Sequence, residues 1–172
     1  MPVTRLNHAV LYVRDVDRSV AFYSDVLGFR RLPVDIDGAA FLRAPASTND
    51  HDLGLFQIGS GAGPSPAGRS TVGLYHLAWE VDTLDELDRL SRLLAEHGAL
   101  VGTGDHGTTK SLYARDPDGI ELEVAWIVPA ELAGDQAAAG GGRVRMLDID
   151  RERQRYGGST AGGIGASITS DA

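Results

Sequence analysis

The segment His8-Ala-Val-Leu-Tyr-Val13 returns later in the chain as His76-Leu-Ala-Trp-Glu-Val81. Both segments are short and rich in Val, Leu and aromatic residues, which is typical of a partly buried β-strand. An amphipathic helical pattern follows each segment and ends at Gly28 in the first copy and at Gly98 in the second. The sequence therefore predicts two copies of one structural unit.

Three further strand patterns follow the helix in each copy. We therefore predict an α+β fold in which two tandem βαβββ modules form a concave mixed sheet. The predicted later strands are 29–32, 39–43 and 52–58 in the first module and 99–102, 110–115 and 120–127 in the second.

The boundaries between segments follow changes in composition. The predicted segments are a first module at 1–58, a linker rich in Gly, Pro and Ser at 59–70, a second module at 71–128 and an Ala/Gly-rich C-terminal tail at 129–172. Within the tail, 129–139 fits a short Ala-rich helix. Because 140–172 has little apolar surface to bury, we expect it to be weakly structured, or ordered only against a partner subunit.

The composition of the 172-residue chain disfavours several classes of function. Its net charge is −8 and no segment concentrates Lys and Arg, so we expect neither nucleic acid nor a membrane as a partner. No apolar run is long enough to span a bilayer and no secretory signal is recognisable, so we expect a cytoplasmic protein. Cysteine is absent, so any metal ion must be bound by His, Asp, Glu or Tyr.

His8 and His76 begin the two copies of the repeat and so occupy equivalent positions. If the modules pack about a pseudo-twofold axis, both imidazoles face one point. Glu123 lies in the predicted last strand among apolar residues, and a buried carboxylate is costly unless it is paired or bound to a metal. These three residues form a hypothetical metal site inside the sheet. Strand periodicity alone equally allows Glu121 and Glu123 to face water.

The remaining histidines carry weaker signals. His97 ends the second helical pattern, where a cation complements the helix dipole, so we expect a structural role. His51 precedes an apolar strand pattern, and its position fits either a pocket or an exposed loop.

The repeat with its two histidines and glutamate resembles the vicinal oxygen chelate superfamily. This superfamily joins glyoxalases, bleomycin- and fosfomycin-resistance proteins, an epimerase and extradiol ring-cleavage dioxygenases. The resemblance covers residues 4–128 and leaves the tail unmatched. Within it, the stretch Gly104-Asp-His-Gly-Thr-Thr-Lys-Ser-Leu-Tyr-Ala-Arg-Asp-Pro-Asp-Gly-Ile-Glu-Leu-Glu123 is similar to the extradiol dioxygenase pattern, in which a His and a Tyr precede the metal-binding Glu.

The similarity to compact, one-domain type I extradiol dioxygenases implies a reaction and a set of roles. It implies Fe(II), with Mn(II) as the alternative metal, and a catechol-type diol and dioxygen as substrates. The segment Asn49–Phe56 resembles the part of that family whose His acts as acid and base. The implied metal ligands are His8, His76 and Glu123, and the implied catalytic residues are His51, Tyr113 and His106.

Two other functions within the superfamily remain as alternatives. A glyoxalase-like lyase or isomerase with Zn or Ni uses a fourth ligand on the last strand of the first module, where the repeat offset places Leu55. A non-catalytic binding protein of the bleomycin-resistance type typically lacks the metal triad. We also expect a homo-oligomer, since small sheets of this kind usually cover their edges by self-association.

Overall fold

The computed structural model describes residues 2–3, 5–66, 68, 70–134 and 144–163, and the chain divides into two compact units. Unit 1 comprises Met1–Pro66 together with Asp116–Gly119, and unit 2 comprises Ala67–Arg115 together with Ile120–Ala172. Each unit contains one copy of the repeat.

Unit 1 contains a four-stranded mixed sheet with strand order β1-β4-β3-β2. The first and last strands pair in parallel and the other neighbours pair antiparallel. Its elements are β1 (Ala9–Val13), α1 (Val16–Asp25), β2 (Arg30–Arg31), β3 (Ala39–Arg43) and β4 (Leu53–Gln57).

Unit 2 repeats this arrangement with strand order β5-β8-β7-β6, and the first and last strands are again parallel. Two short helices, α3 and α4, follow the module. The elements of unit 2 are β5 (Leu77–Glu80), α2 (Leu84–Glu96), β6 (Leu100–Asp105), β7 (Thr109–Arg115), β8 (Glu121–Ile127), α3 (Ala130–Ala133) and α4 (Ile149–Tyr156). The predicted α+β class and the tandem βαβββ modules are confirmed.

The helices form where the sequence combines a cap, an apolar stripe and a stop. Asp15 accepts a hydrogen bond from the backbone N–H of Arg18 at the start of α1, and Thr83 does the same for Glu86 at the start of α2. The leucines of α2 recur at spacings of three and four and are buried. The buried leucines are Leu84, Leu87, Leu90 and Leu94.

Both predicted stop glycines adopt the left-handed conformation. Gly28 has φ of 75° and Gly98 has φ of 64°. A side chain at either position would strain the backbone, which explains why a glycine follows each helix.

The turn between β7 and β8 packs within unit 1. Tyr23 donates a hydrogen bond from its hydroxyl to Asp116 at 3.2 Å, and Arg14 forms an ion pair with Asp118 at 2.7 Å. The turn therefore adds two carboxylates to the surroundings of α1.

The expectation of a weakly structured tail is wrong for residues 144–163. This segment contains α4, and its residue Glu152 is buried. Trp126 of β8 donates a hydrogen bond to the carbonyl of Thr160, and the backbone N–H of Gly163 donates to Ile127. The low apolar content misled the prediction because polar contacts hold this segment to the sheet. Residues 135–143 and 164–172 of the predicted tail lie outside the described residues.

None of the helices in the described ranges is long and apolar enough to cross a membrane.

Candidate active site

Unit 2 brings His76 and Glu123 together. β8 places Glu123 beside Ala78 of β5 on one side and beside Tyr113 of β7 on the other. His76 directly precedes β5 rather than lying on it, and its Nε2 is 3.0 Å from Oε2 of Glu123. Ser111 donates a hydrogen bond of 2.5 Å to the other carboxylate oxygen. Glu123 is thus held by two neighbours and is 13% exposed, so it does not face open water.

The environment of His76 leaves one ring nitrogen available. Nδ1 of His76 is buried, and among the described residues no group forms a hydrogen bond with it. Buried polar atoms normally have a partner, so Nδ1 of His76 is unusual, whereas Nε2 on the other side of the ring faces the carboxylate of Glu123. An imidazole nitrogen and a carboxylate oxygen are ligands that first-row divalent metals accept. The pair therefore fits part of a metal site.

Tyr113 and His106 form a second pair in the same unit. Nε2 of His106 lies 2.7 Å from the hydroxyl oxygen of Tyr113, and the Tyr113 ring is 6.0 Å from the His76 ring between centroids. Burial raises the pKa of the Tyr113 phenol above its ordinary value, and the charge of Glu123 raises it further, against a hydrogen bond with Ser111 that lowers it. Tyr113 is therefore protonated at neutral pH and has a proton to donate.

His106 lies in the tight turn between β6 and β7. Its backbone N–H donates to the carbonyl of Thr109 at 2.9 Å, and Gly107 follows with φ of 85°. The spacing of seven residues between His106 and Tyr113 spans this hairpin, which explains how the sequence motif brings the two side chains together.

Unit 1 brings His8 and His51 together. Their rings are 4.4 Å apart between centroids, and His51 also contacts the edge of Phe41 at 5.1 Å. Nδ1 of His51 lies 3.2 Å from a carboxylate oxygen of Asp50, and the His51 side chain is 17% exposed. Of the two positions that the sequence left open for His51, a partly enclosed pocket fits better than an exposed loop. His8 is exposed and directly precedes β1.

The strand register corrects one predicted correspondence between the modules. Val10 pairs with Gly54 in unit 1 as Ala78 pairs with Glu123 in unit 2, so Gly54 is the equivalent of Glu123. The prediction that Leu55 occupies this position is wrong, because the second module contains one more residue than the first between its first strand and its last strand. Leu55 is instead fully buried in the core. Glycine carries no ligand, so the absence of a fourth carboxylate at this position still holds.

The predicted triad draws its members from both units. The described residues of either unit taken by itself hold no group of three His, Asp or Glu side chains that could bind one metal ion. Unit 1 supplies His8, and unit 2 supplies His76 and Glu123. The triad stays a prediction.

Sequence reasoning missed one side chain of this site. Ser111 is fully buried, lies opposite Ala125 of β8, and binds the carboxylate of Glu123. The available signal was its position on β7, two residues before Tyr113 and therefore on the same face of the strand.

The comparison with known protein families places the chain in one of them. The model of the "Glyoxalase/Bleomycin resistance protein/Dioxygenase superfamily" matches residues 5–124, and the chain belongs to this superfamily. The predicted superfamily is thus confirmed.

Two curated proteins are similar to this chain in sequence. The "Catechol-2,3-dioxygenase" of Bacillus subtilis (strain 168) is 36% identical over 121 residues, which cover 70% of this chain and 41% of that protein. "Metapyrocatechase 2" of Cupriavidus necator is 31% identical over 140 residues, which cover 79% of this chain and 40% of that protein. The chain therefore spans about two fifths of the length of these curated relatives.

A solved structure supports the fold. The glyoxylase/bleomycin resistance protein/dioxygenase domain from Frankia sp. EAN1pec aligns with a TM-score of 0.60 at 29% identity, covering 72% of this chain and 92% of that chain.

Proposed function

We propose that this chain catalyses extradiol cleavage of a catechol-type aromatic ring with dioxygen, using Fe(II). The observation that carries the proposal is the cluster in unit 2, where the His76–Glu123 pair lies beside the hydrogen-bonded Tyr113–His106 pair. The relatives named as a catechol dioxygenase and a metapyrocatechase support the same reaction class.

The proposed metal ligands are His8, His76 and Glu123, with Mn(II) as the alternative ion. The Nε2 of His76 and the Glu123 carboxylate oxygen 3.0 Å from it support the two ligands of unit 2. With only three protein ligands, a bound Fe(II) ion would remain accessible to a diol and to dioxygen, and the chemistry it would supply is electron transfer between them. Gly54 at the position equivalent to Glu123 supports a three-ligand site over the four-ligand site of a glyoxalase-like enzyme.

Tyr113 is proposed to bind a substrate oxygen. Its raised pKa keeps the phenol protonated, so it can donate a hydrogen bond to a developing negative charge. His106, whose Nε2 is 2.7 Å from the Tyr113 hydroxyl, is proposed to donate to the phenol oxygen, which leaves the Tyr113 proton for the substrate. Ser111 holds Glu123 in place from the opposite side.

His51 is proposed to act as acid and base. Imidazole is the side chain that most often transfers protons in enzymes, and the His51 side chain is mostly enclosed and in ring contact with His8 and Phe41. The proposed partners are thus a small aromatic diol and dioxygen, and we propose a homo-oligomer because each sheet ends in edge strands.

The function is tested with a panel of catechols. Protein purified without oxygen and given Fe(II) should form a yellow ring-fission product, and Glu123→Gln should lose about 100-fold or more of this activity together with iron binding. Glu121→Gln is the matched control, because Glu121 lies on the same strand two residues earlier and pairs with the exposed Arg115. We expect it to keep both iron and turnover.

Activity of the unmodified chain on a hemithioacetal with Ni or Zn, without colour from any catechol, would contradict the dioxygenase proposal. It would favour the lyase alternative instead.

His51→Ala separates proton transfer from metal binding. We expect the variant to bind iron like the unmodified chain while turnover falls by about 100-fold, since a positioned general acid–base contributes this order of rate. Iron content by metal analysis and ring-fission rate by absorbance measure the two properties. Loss of iron, or full activity, would exclude the proposed role.

A further inference from the structure

A buried cluster of three charges joins the C-terminal segment to the hairpin that carries His106. Lys110 of β7 is fully buried, and its Nζ lies 2.5 Å from Asp105 and 3.0 Å from Glu152 of α4. Glu152 is 1% exposed and Asp105 is 8% exposed. We call these residues the Lys110 cluster (Asp105, Lys110 and Glu152). Removing one member leaves a charge without its full set of partners in the interior, which is strongly unfavourable.

Two members of the Lys110 cluster flank the turn of His106. Asp105 directly precedes His106, and its carboxylate accepts a hydrogen bond from the backbone N–H of Gly107 at 2.9 Å. Burial raises the pKa of Asp105, but the hydrogen bond from Lys110, that from Gly107 and the charge of Arg151 outweigh it, so the pKa is lowered. Asp105 is therefore an anion, and its carboxylate binds Gly107 within the turn and Lys110 after the turn.

The segment 144–163 reaches the same turn by a second route. Asp105 and Arg145 exchange two backbone hydrogen bonds, of 2.8 Å and 3.0 Å. The preceding residue, Val144, approaches Gly104 at the point where the side chains of His106 and Tyr113 converge. A Cβ on Gly104 would lie 3.2 Å from Val144 Cγ1, 3.0 Å from His106 Nε2 and 3.2 Å from a ring carbon of Tyr113.

We propose that the segment 144–163 positions His106 against Tyr113, and that Glu152 is the positioning residue through which it acts. The carboxylate of Glu152 fixes Lys110, Lys110 fixes Asp105, and Asp105 sets the turn that presents the imidazole. The matched family model ends at residue 124, so the segment 144–163, with Glu152, lies beyond the matched residues. The consequence for turnover rests on the function proposed above, whereas the effect on the His106–Tyr113 pair does not.

The chain offers a matched pair of substitutions on one helix. Glu152 and Asp150 are both acidic residues of the first turn of α4, so neutralising either removes the same favourable interaction with the helix dipole. Asp150 is 83% exposed and faces Arg153, not Lys110. Glu152→Gln therefore tests the Lys110 cluster, and Asp150→Asn controls for the helix.

The measurement is nitrogen NMR of the full chain without added metal, at one pH. The measured quantity is the chemical shift of the His106 imidazole nitrogens. Tyr113→Phe provides the reference position for a His106 that has lost its hydrogen bond. We expect Glu152→Gln to move the His106 signals towards that reference, and Asp150→Asn to leave them in place. If Glu152→Gln does not fold, Glu152→Asp is measured in the same way, because it keeps the charge and Lys110 but withdraws the carboxylate from the Lys110 amine.

His106 signals that stay at the unmodified position in the folded variant would overturn the proposal, and so would equal shifts in Asp150→Asn. In turnover assays, we expect Glu152→Gln to lower kcat by about 10-fold with KM and iron content unchanged, because small misplacements of a catalytic group reduce rate. Absence of turnover in the unmodified chain would reject the proposed function and leave the spectroscopic result standing.

Discussion

At the scale of single residues, Tyr113 lies opposite Glu123 on neighbouring strands, and His106 contacts the Tyr113 hydroxyl from the adjoining turn. His106 and Tyr113 were predictable because their spacing spans one hairpin, and the structure joins them by a hydrogen bond of 2.7 Å. The role of Glu123 was predictable only as one of two alternatives, a metal ligand or a residue that faces water. A strand pattern does not say which face of the sheet is covered. Ser111 was not predictable as its partner, because serine is common in strands and has no characteristic spacing.

Gly104 is required by the close approach of the side chains around it. A methyl group there would lie 3.0 Å from His106 Nε2, so we expect Gly104→Ala to displace the imidazole and weaken its bond to Tyr113. Ring-fission activity should fall by about 10-fold or more. The control is Gly102→Ala on the same strand, where no atom in the described part of the chain lies within 4 Å of the added methyl group. Equal rates for the two variants would show that His106 tolerates the displacement.

At the scale of elements, the helices and the order of strands followed directly from the sequence. The apolar spacing and the terminal glycines located α1 and α2, and the repeat located the strands to within a few residues. The correspondence of Leu55 with Glu123 failed because a constant offset was assumed, whereas hydrogen-bond register sets the true equivalence with Gly54. Register depends on loop geometry that a single sequence does not reveal.

Helix α4 was missed for a different physical reason. Its sequence is dominated by charges, which usually indicate a solvated segment. Here one of those charges, Glu152, is buried because its carboxylate pairs with both Lys110 and Arg151. The pair with Lys110 joins residues far apart in sequence, and nothing local to either residue predicts it.

At the scale of the whole molecule, the turn Asp116–Gly119 is distant in sequence from the unit that it joins. Its contact with Tyr23 is testable, since Tyr23→Phe removes only the hydroxyl that donates to Asp116. We expect the free energy of unfolding at pH 7 to fall by about 1 kcal/mol. Urea unfolding measures it, with Tyr12→Phe as control because Tyr12 is 72% exposed.

The same pair of variants has a defined pH dependence. Burial, followed by the charge and hydrogen bond of Asp116, raises the pKa of Tyr23 well above its ordinary value of 10.0. The folded chain then keeps a proton that the unfolded chain releases, so this stabilisation is complete below pH 10.0 and is lost as the pH rises. The difference between the unmodified chain and Tyr23→Phe should therefore shrink above that pH. A difference that stays constant would exclude the assignment.

Lys110 is the only lysine in the 172-residue sequence. It is also fully buried beneath α4. Amine-directed reagents and proteases specific for lysine consequently find no lysine side chain on the folded molecule. Acylation of the Lys110 amine requires α4 to detach first, so this amine is a chemical reporter for the opening of the C-terminal segment.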